Sequence, residues 1–161
     1  MELKDKSLLA QFQGPEGRPR LTEALRAQSL IREQDLALEF SRHMSLEEVS
    51  SGRTLIRQGA SGSDLFLILI GEFSVLVNGE LVERRTAGEH LGEMALIDPK
   101  APRSASVIAA CDSVVARITE SEFSKLADRS PRLWRRIASG LAAHLRRARA
   151  TTDNLERRLG N

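Results

Sequence analysis

The chain of 161 residues has no tyrosine and one tryptophan, and aromatic residues make up only 4% of it. That scarcity argues against a platform for single-stranded nucleic acid, which stacks bases on a row of rings. Cysteine occurs once, at Cys111, so no disulfide can form within the chain. The small apolar residues before it, Val107-Ile108-Ala109-Ala110, make Cys111 read as a buried strand residue. Histidine occurs three times, at His43, His90 and His144. His90 and Glu93 invite a metal reading, but the His-x-His, Glu and further His of a cupin-type centre do not occur, so no metal is expected. No Ser/His/Asp or Cys/His set stands in a supporting motif, so no catalytic residue is expected. Apolar runs are short. The longest, residues 65–70, falls far below the roughly 18 residues of a membrane helix. The opening Met1-Glu-Leu-Lys-Asp-Lys6 lacks the apolar core of a secretory signal, so the expected location is the cytoplasm, with no membrane partner. Neither sign of charge dominates: Lys and Arg total 24, Asp and Glu 22, a formal net charge of +2. The chain as a whole is not a polyanion binder, and no direct nucleic acid binding is expected, although Arg concentrates after Asp128.

Hydrophobic content of 41% and charged content of 29% are ordinary for a globular protein, and the length suits one domain with appended helices. Residues 1–20 contain Gly14-Pro-Glu-Gly-Arg-Pro19 and read as a turn-rich lead-in rather than a core element. Residues 21–44 read as helical, with a break within 28–35; Leu36, Phe40 and Met44 recur every fourth residue. Residues 45–48 match a capping box, yet Gly52 follows too soon for a helix, so 46–49 is expected to be the first strand. Short strands are expected at 54–56, 65–70, 73–77, 81–82, 106–110 and 114–118. Asn78-Gly79 marks a tight hairpin, because both central positions of that turn need positive φ. Thr119-Glu-Ser-Glu122 is a capping box ahead of Phe123, Leu126 and Ala127. Ser130 and Pro131 are expected to open a last helix as N-cap and first position. Leu133, Ile137, Leu141 and Leu145 form its apolar stripe, and it would continue past Leu155 and Leu159 to Gly160. Glycine-punctuated antiparallel strands framed by helices indicate an α+β fold: a β-roll or jelly-roll barrel (46–119) preceded by N-terminal helices (1–45) and followed by two C-terminal helices (120–161).

The most chemically informative stretch is 91–107, Leu-Gly-Glu-Met-Ala-Leu-Ile-Asp-Pro-Lys-Ala-Pro-Arg-Ser-Ala-Ser-Val. Gly92 lets the backbone approach a ligand. Residues 93–97 can form one helical turn whose free N–H groups face an anion. Pro99 and Pro102 end the turn, and Arg103 offers a fork of donors that fits two phosphate oxygens, with the Ser104 hydroxyl beside it. Glu93 would repel phosphate but accepts a hydrogen bond from a sugar hydroxyl. Phosphate and ribose on one small molecule make a nucleotide.

These residues resemble the phosphate-binding cassette of cyclic nucleotide-binding domains, Gly-Glu-x-Ala-Leu followed by Arg-[Ser/Thr/Ala]-Ala-x-Val, matched here at Gly92, Glu93, Ala95, Leu96, Arg103, Ser104, Ala105 and Val107. A second block, residues 55–71 with Gly59, Gly62, Asp64 and Gly71, is similar to that family's first glycine-punctuated strands. The resemblance covers about 46–145. It implies a sensor for a cyclic nucleotide monophosphate, with no further cofactor, whose ligand contacts are Leu91, Gly92, Glu93, Met94, Ala95, Arg103, Ser104 and Ala105. Arg103 and Ser104 would bind the phosphate, Glu93 the 2′-hydroxyl, and Gly92 with the Ala95 N–H would complete the cradle. The base would meet the last helix near Ala148, Arg149, Thr151 and Thr152. The base itself, cUMP, cCMP, cAMP or cGMP, stays open.

The cassette wording, with Gly17-Arg-Pro-Arg-Leu-Thr-Glu-Ala-Leu25 and Pro131-Arg-Leu-Trp-Arg-Arg-Ile-Ala138, is also similar to a bacterial group in which such a domain is fused to a TIR-type effector of pyrimidine cyclase (Pycsar) anti-phage defence. That likeness implies a cyclic pyrimidine, cUMP or cCMP, as the ligand and a TIR effector domain that breaks down NAD, beyond Asn161 or in trans, and the last helix could pair two copies. The alternatives are a cAMP or cGMP sensor of a signalling protein, or a transcription regulator whose DNA-reading domain lies beyond this chain. A cupin-type metal enzyme is the remote third class.

Overall fold

Residues 65–69 are apolar without interruption because the strand they form is covered on both faces. In the computed structural model, which describes residues 7–160, Leu65, Leu67 and Leu69 enter a core shared with the helices. Phe66 and Ile68 point the other way, into the barrel, with Val49, Ile56, Phe73, Leu91, Val107 and Val115. The two-residue period of a strand thus divides one run between two cores. The opening hexapeptide, on which the absence of a signal sequence was argued, and Asn161 lie outside the described residues.

Eight strands form two antiparallel four-stranded sheets. They are β1 (Ser45–Val49), β2 (Thr54–Ile56), β3 (Leu65–Ile70), β4 (Glu72–Val77), β5 (Glu80–Thr86), β6 (His90–Leu91), β7 (Ser106–Ala109) and β8 (Ser113–Ile118). The first sheet runs β1-β8-β3-β6 and the second β2-β7-β4-β5, the jelly-roll arrangement expected. Asn78 and Gly79, with φ of 52° and 80°, turn β4 into β5. Helices α1 (Gly14–Arg26), α2 (Gln34–His43), α4 (Glu120–Arg129) and α5 (Arg132–Leu159) supply the other side of the first sheet's core, and the four-residue α3 (Met94–Ile97) lies in the 91–107 stretch. The few aromatics gather where the helices meet: Phe40 and Phe123 pack edge-on with centroids 6.1 Å apart, and Phe123 and Trp134 at 5.4 Å. Among the described residues no helix is long and apolar enough to cross a membrane.

Five local expectations need correction. The strand expected at 81–82 runs from Glu80 to Thr86, because its pairing with β4 continues through the charged residues as far as Glu72 opposite Thr86. Residues 8–20 are not a lead-in: Leu8–Phe12 is a short 3-10 helix and α1 begins at Gly14, with Pro15 in the first turn, where its missing N–H is not needed. Gly17 is buried so tightly that a Cβ would lie 2.3 Å from the carbonyl carbon of Phe12. The Gly/Pro composition signals a turn, but packing of one helix on the other decides. Cys111 is exposed, because β7 stops at Ala109 and Cys111 belongs to the bend before β8. Ser130 closes α4 as its C-cap and makes no side-chain cap to α5, which starts after Pro131. His90 and Leu91 pair with β3 as a strand of their own, where only a turn and the start of the 91–107 stretch were read. The Thr119 hydroxyl does cap α4, accepting from the Glu122 N–H at 3.2 Å.

The arginines after Asp128 divide by role. Arg136, half-buried, donates to the carbonyls of Leu30 (3.0 Å) and Ile31 (2.6 Å) and to Glu33 Oε2 (2.9 Å), clamping α5 to the segment before α2. Arg146 and Arg149 are exposed. Leu133 and Ile137 fill the helix-side core, whereas Leu145, Leu155 and Leu159 face solvent, so the apolar stripe leaves the body of the protein along α5.

The packing generates a stability prediction. Gly71 has φ of 106°, and a Cβ there would sit 2.0 Å from Ser113 Oγ and 2.9 Å from Ser113 Cα, inside the β3–β8 junction. Gly71→Ala is expected to lower unfolding free energy by about 2–5 kcal/mol, backbone strain and overpacking combined. Gly79→Ala, where nothing lies within 4 Å, is expected to lose only about 1 kcal/mol. Urea denaturation of both variants measures the difference, and equal losses would contradict the packing argument.

Candidate functional site

Gly92 determines how close the 91–107 stretch comes to the barrel. Its φ is 87°, and a Cβ would lie 2.7 Å from the Asp64 carbonyl oxygen and 2.9 Å from Arg103 Nη1. Only glycine fits where the turn, the β2–β3 loop and the arginine converge. The Arg103 guanidinium is half-buried and donates to two backbone carbonyls, Asp64 O at 2.9 Å and Gly92 O at 3.4 Å. The nearby Asp64 carboxylate is taken by Arg117, whose Nε donates to it at 2.6 Å. Among the described residues Arg103 therefore has no carboxylate partner. Burial pulls Arg103 below its ordinary value while the Asp64 charge acts the other way, so the group is an oriented, under-neutralised cation.

Glu93 follows Gly92 and is 6% exposed. Burial alone would raise its pKa. The charge of Arg85, helped by His90 and hydrogen bonds, outweighs that and holds the carboxyl below the usual carboxylate range. Arg85, at the end of β5, is 8% exposed and donates through Nη1 to Glu93 Oε1 at 2.9 Å and to the His90 carbonyl at 2.6 Å. Its Nη2 lies 3.3 Å from Glu83 Oε2 and 2.7 Å from Nε2 of His144, on α5. Burial keeps His90 below the ordinary imidazole value, against the pull of Glu93, and its Nδ1 is buried with no hydrogen-bond partner.

Leu91, Gly92, Glu93, Met94, Ala95, Arg103, Ser104 and Ala105 all line one cavity of about 1130 Å³, so the structure brings these eight candidates of the sequence analysis to one place. They contribute unequally. Leu91 and Ala95 are buried, Met94 and Ser104 exposed, and the Ala95 N–H already donates to Gly92 O at 3.2 Å inside the turn. Of the positions expected to meet a base, Ala148 and Thr151 line the cavity, and Arg149 and Thr152 are not among its lining residues. The Thr151 hydroxyl donates to the Arg147 carbonyl on its own helix at 3.1 Å. The barrel side is apolar, with Val75, Val77, Leu81 and Val82. Chemically, this is a chamber with a cation fork and a carboxylate at one end, an apolar wall, and α5 laid across it.

Sequence reasoning missed Arg85, His144 and Arg147, all in the wall. The alternation of β5, which puts Glu83 and Arg85 on one face, was the available signal, since a buried strand face seldom carries charges unless they are paired. Nothing local announces His144, which lies 51 residues beyond Glu93 in the chain.

Comparison with known proteins agrees with this geometry. The family model for the cyclic nucleotide-binding domain matches residues 46–130. Curated relatives include the Pycsar effector protein XpPycTIR of Xanthomonas perforans, 42% identical over 139 residues, which are 86% of this chain and 46% of that protein. BcPycTIR of Burkholderia cepacia is 39% identical over the same shares. The chain thus spans about half the length of these relatives. Among solved structures, the catabolite activator protein of Thermus thermophilus superposes with a TM-score of 0.70 at 26% identity, over 80% of this chain and 63% of that one. A cAMP-bound PKA regulatory fragment, PfPKA-R, superposes at 0.71 with 18% identity over 86% and 47%, a likeness of fold.

The Arg85–Glu93 pair yields a second prediction. Arg85→Met strands a buried carboxylate and is expected to destabilise the fold by about 3–5 kcal/mol, and adding Glu93→Gln should recover most of that loss. A double-mutant cycle in urea measures the coupling. Because Glu93 is depressed in the folded state, its stabilisation is present above the unfolded carboxylate value and is lost as pH falls through the lower folded value. The Glu93→Gln chain should lack that acid-range loss.

Proposed function

The chain belongs to the cyclic nucleotide-binding domain family, and on that premise we propose that it senses a 3′,5′-cyclic pyrimidine nucleotide, cUMP or cCMP, and controls a TIR-type effector in anti-phage defence. The observation that carries the binding role is Arg103: a half-buried guanidinium, aimed by two carbonyls, without a carboxylate partner among the described residues, at the rim of a cavity with room for a nucleotide. In this reading Arg103 and Ser104 take the cyclic phosphate, with Gly92 allowing close approach. Glu93 accepts the ribose 2′-hydroxyl. The base lies between the apolar wall of Val75, Val77, Leu81 and Val82 and the helix residues Ala148 and Thr151.

Support for the effector context comes from the relatives named as Pycsar effectors, which match most of this chain with less than half of their own length. A TIR domain fused beyond Asn161, or supplied in trans, would carry the catalytic step, and this chain the sensing. The mechanism is a population shift: a ligand held by Arg103 and Glu93 stabilises the seated position of α5 over the base, and the effector responds to that helix. The exposed Leu145, Leu155 and Leu159 are the face through which two copies would pair.

A second reading has its own observation. The cAMP-activated global transcriptional regulator CRP of Salmonella typhimurium is 30% identical over 121 residues, 72% of this chain, which favours a cAMP sensor serving a DNA-binding domain.

Calorimetric titration with cUMP, cCMP, cAMP and cGMP separates the readings. Tightest binding of a cyclic pyrimidine is expected; preference for cAMP moves the assignment to the second reading, and no binding to any of the four overturns both. Arg103→Ala is expected to weaken binding by about 2–5 kcal/mol, roughly 30-fold to several thousand-fold. A change under about threefold would remove Arg103 as the phosphate ligand.

A further inference from the structure

One imidazole joins the helix that covers the cavity to the carboxylate at its end. His144 is on α5, with its side chain 28% exposed. Nε2 lies 2.7 Å from Arg85 Nη2 and 3.8 Å from Glu93 Oε1. Nδ1 lies 3.4 Å from Glu83 Oε1 and 2.7 Å from Arg147 Nη2. Both arginines are donors only, and a neutral imidazole has a single bare nitrogen, so it accepts from one of them. Arg147 is largely exposed, can turn to water, and has Glu83 3.7 Å away. Arg85 is buried and cannot turn to water; its Nη2 gives one hydrogen to Glu83 Oε2 at 3.3 Å and has a second for the ring. The lone pair therefore belongs to Nε2, facing Arg85, and the proton to Nδ1, facing Glu83.

We propose that His144 is a positioning residue for the ribose subsite: its neutral Nε2 accepts from Arg85, which holds the guanidinium where it presents Glu93 to a ligand's 2′-hydroxyl, and the same contact seats α5. The inference rests on the cyclic-nucleotide reading. It makes one group responsible for two properties, preference for ribose over 2′-deoxyribose and closure of the helix, which must change together.

Protonation is the lever. The groups facing the ring are Arg85 and Glu83 from β5, His90 from β6, Glu93 from the turn, and Arg147 from α5 itself. Burial and then Arg85 hold His144 below the ordinary imidazole value, while Glu83 and Glu93 act in the opposite sense. The ring is accordingly neutral at neutral pH. When it gains a proton in acid, an N–H faces an N–H of Arg85, and the contact becomes repulsive. Glu93 remains ionised over that window because it is held below the carboxylate range.

The test compares affinities for cUMP and 2′-deoxy-cUMP at two pH values chosen on either side of the His144 titration as followed by NMR of the ring, in wild-type, His144→Gln and His144→Ala chains. Hydrogen-exchange protection of the ligand-free α5 is measured alongside, corrected for intrinsic rates. Wild-type chain should prefer the ribose ligand by about tenfold or more at the higher pH, the range of a hydrogen bond to a charged group, and lose most of that preference at the lower. His144→Gln keeps an acceptor that does not titrate, so it should hold both preference and protection at each pH; His144→Ala should lack both throughout. A wild-type ribose preference that is the same at both pH values, or an alanine variant that equals wild type, overturns the positioning role. Failure of every cyclic nucleotide to bind overturns the functional reading and the ribose role with it. Exchange in ligand-free α5 that does not respond to pH overturns the His144–Arg85 contact by itself.

Discussion

A carboxylate buried to 6% exposure beside a ligand chamber is unfavourable unless a cation meets it, and the contact between Glu93 and Arg85 is the constraint around which the site is arranged. Arg85 ends β5 in one sheet, Glu93 follows β6 in the other, and the His90 carbonyl takes a second donor of the same guanidinium. One cation therefore stitches the two sheets together at the mouth of the barrel. His144 brings α5 to the same point. A helix that reaches the pair from another part of the chain can be sensitive to whatever else reaches it.

The second cation is deployed differently. Among the described residues Arg103 is aimed by carbonyl oxygens and has no countercharge of its own, while the nearby Asp64 carboxylate goes to Arg117. By composition the two arginines would be interchangeable. Their partners make one a strut and the other a receptor for an anion. The division also fits the proposed phosphate role in a chain of net charge +2: the attraction would be local, in a half-buried pocket, and would need no basic surface.

The long helix α5 links these chemistries to motion. Its first half is fastened twice, by Leu133 and Ile137 in the core and by Arg136 on the carbonyls of Leu30 and Ile31. Its middle, from Leu141 to Thr151, lies over the cavity before the helix runs into solvent, held near the site by polar contacts of His144 and Arg147. A helix fastened by apolar packing at one end and by exchangeable hydrogen bonds at the other can pivot, because the polar contacts can be replaced by ligand or water at modest cost.

What was legible in the sequence was local in origin. Alternation and glycine turns gave most strands within a residue or two but stopped β5 four residues short and missed β6, Asn78-Gly79 gave the hairpin, Thr119 gave a cap, and the 91–107 stretch carried its candidate ligand residues within one short segment. Where local signals conflict with packing they mislead: Gly14 to Pro19 form most of the first half of a helix, and Cys111 after four small apolar residues is exposed in a bend. By itself, then, the sequence determined the fold class and marked the residues proposed to take phosphate and ribose, since periodicity and a contiguous motif need no knowledge of distant contacts. Only the tertiary structure decided that Glu93 is partnered by Arg85, that Arg103 is left free, and that His144 sits against both ends of that pair. Those are relations between charges far apart in sequence, and a charge acquires its role from its burial and its neighbours, which exist only once the chain has folded.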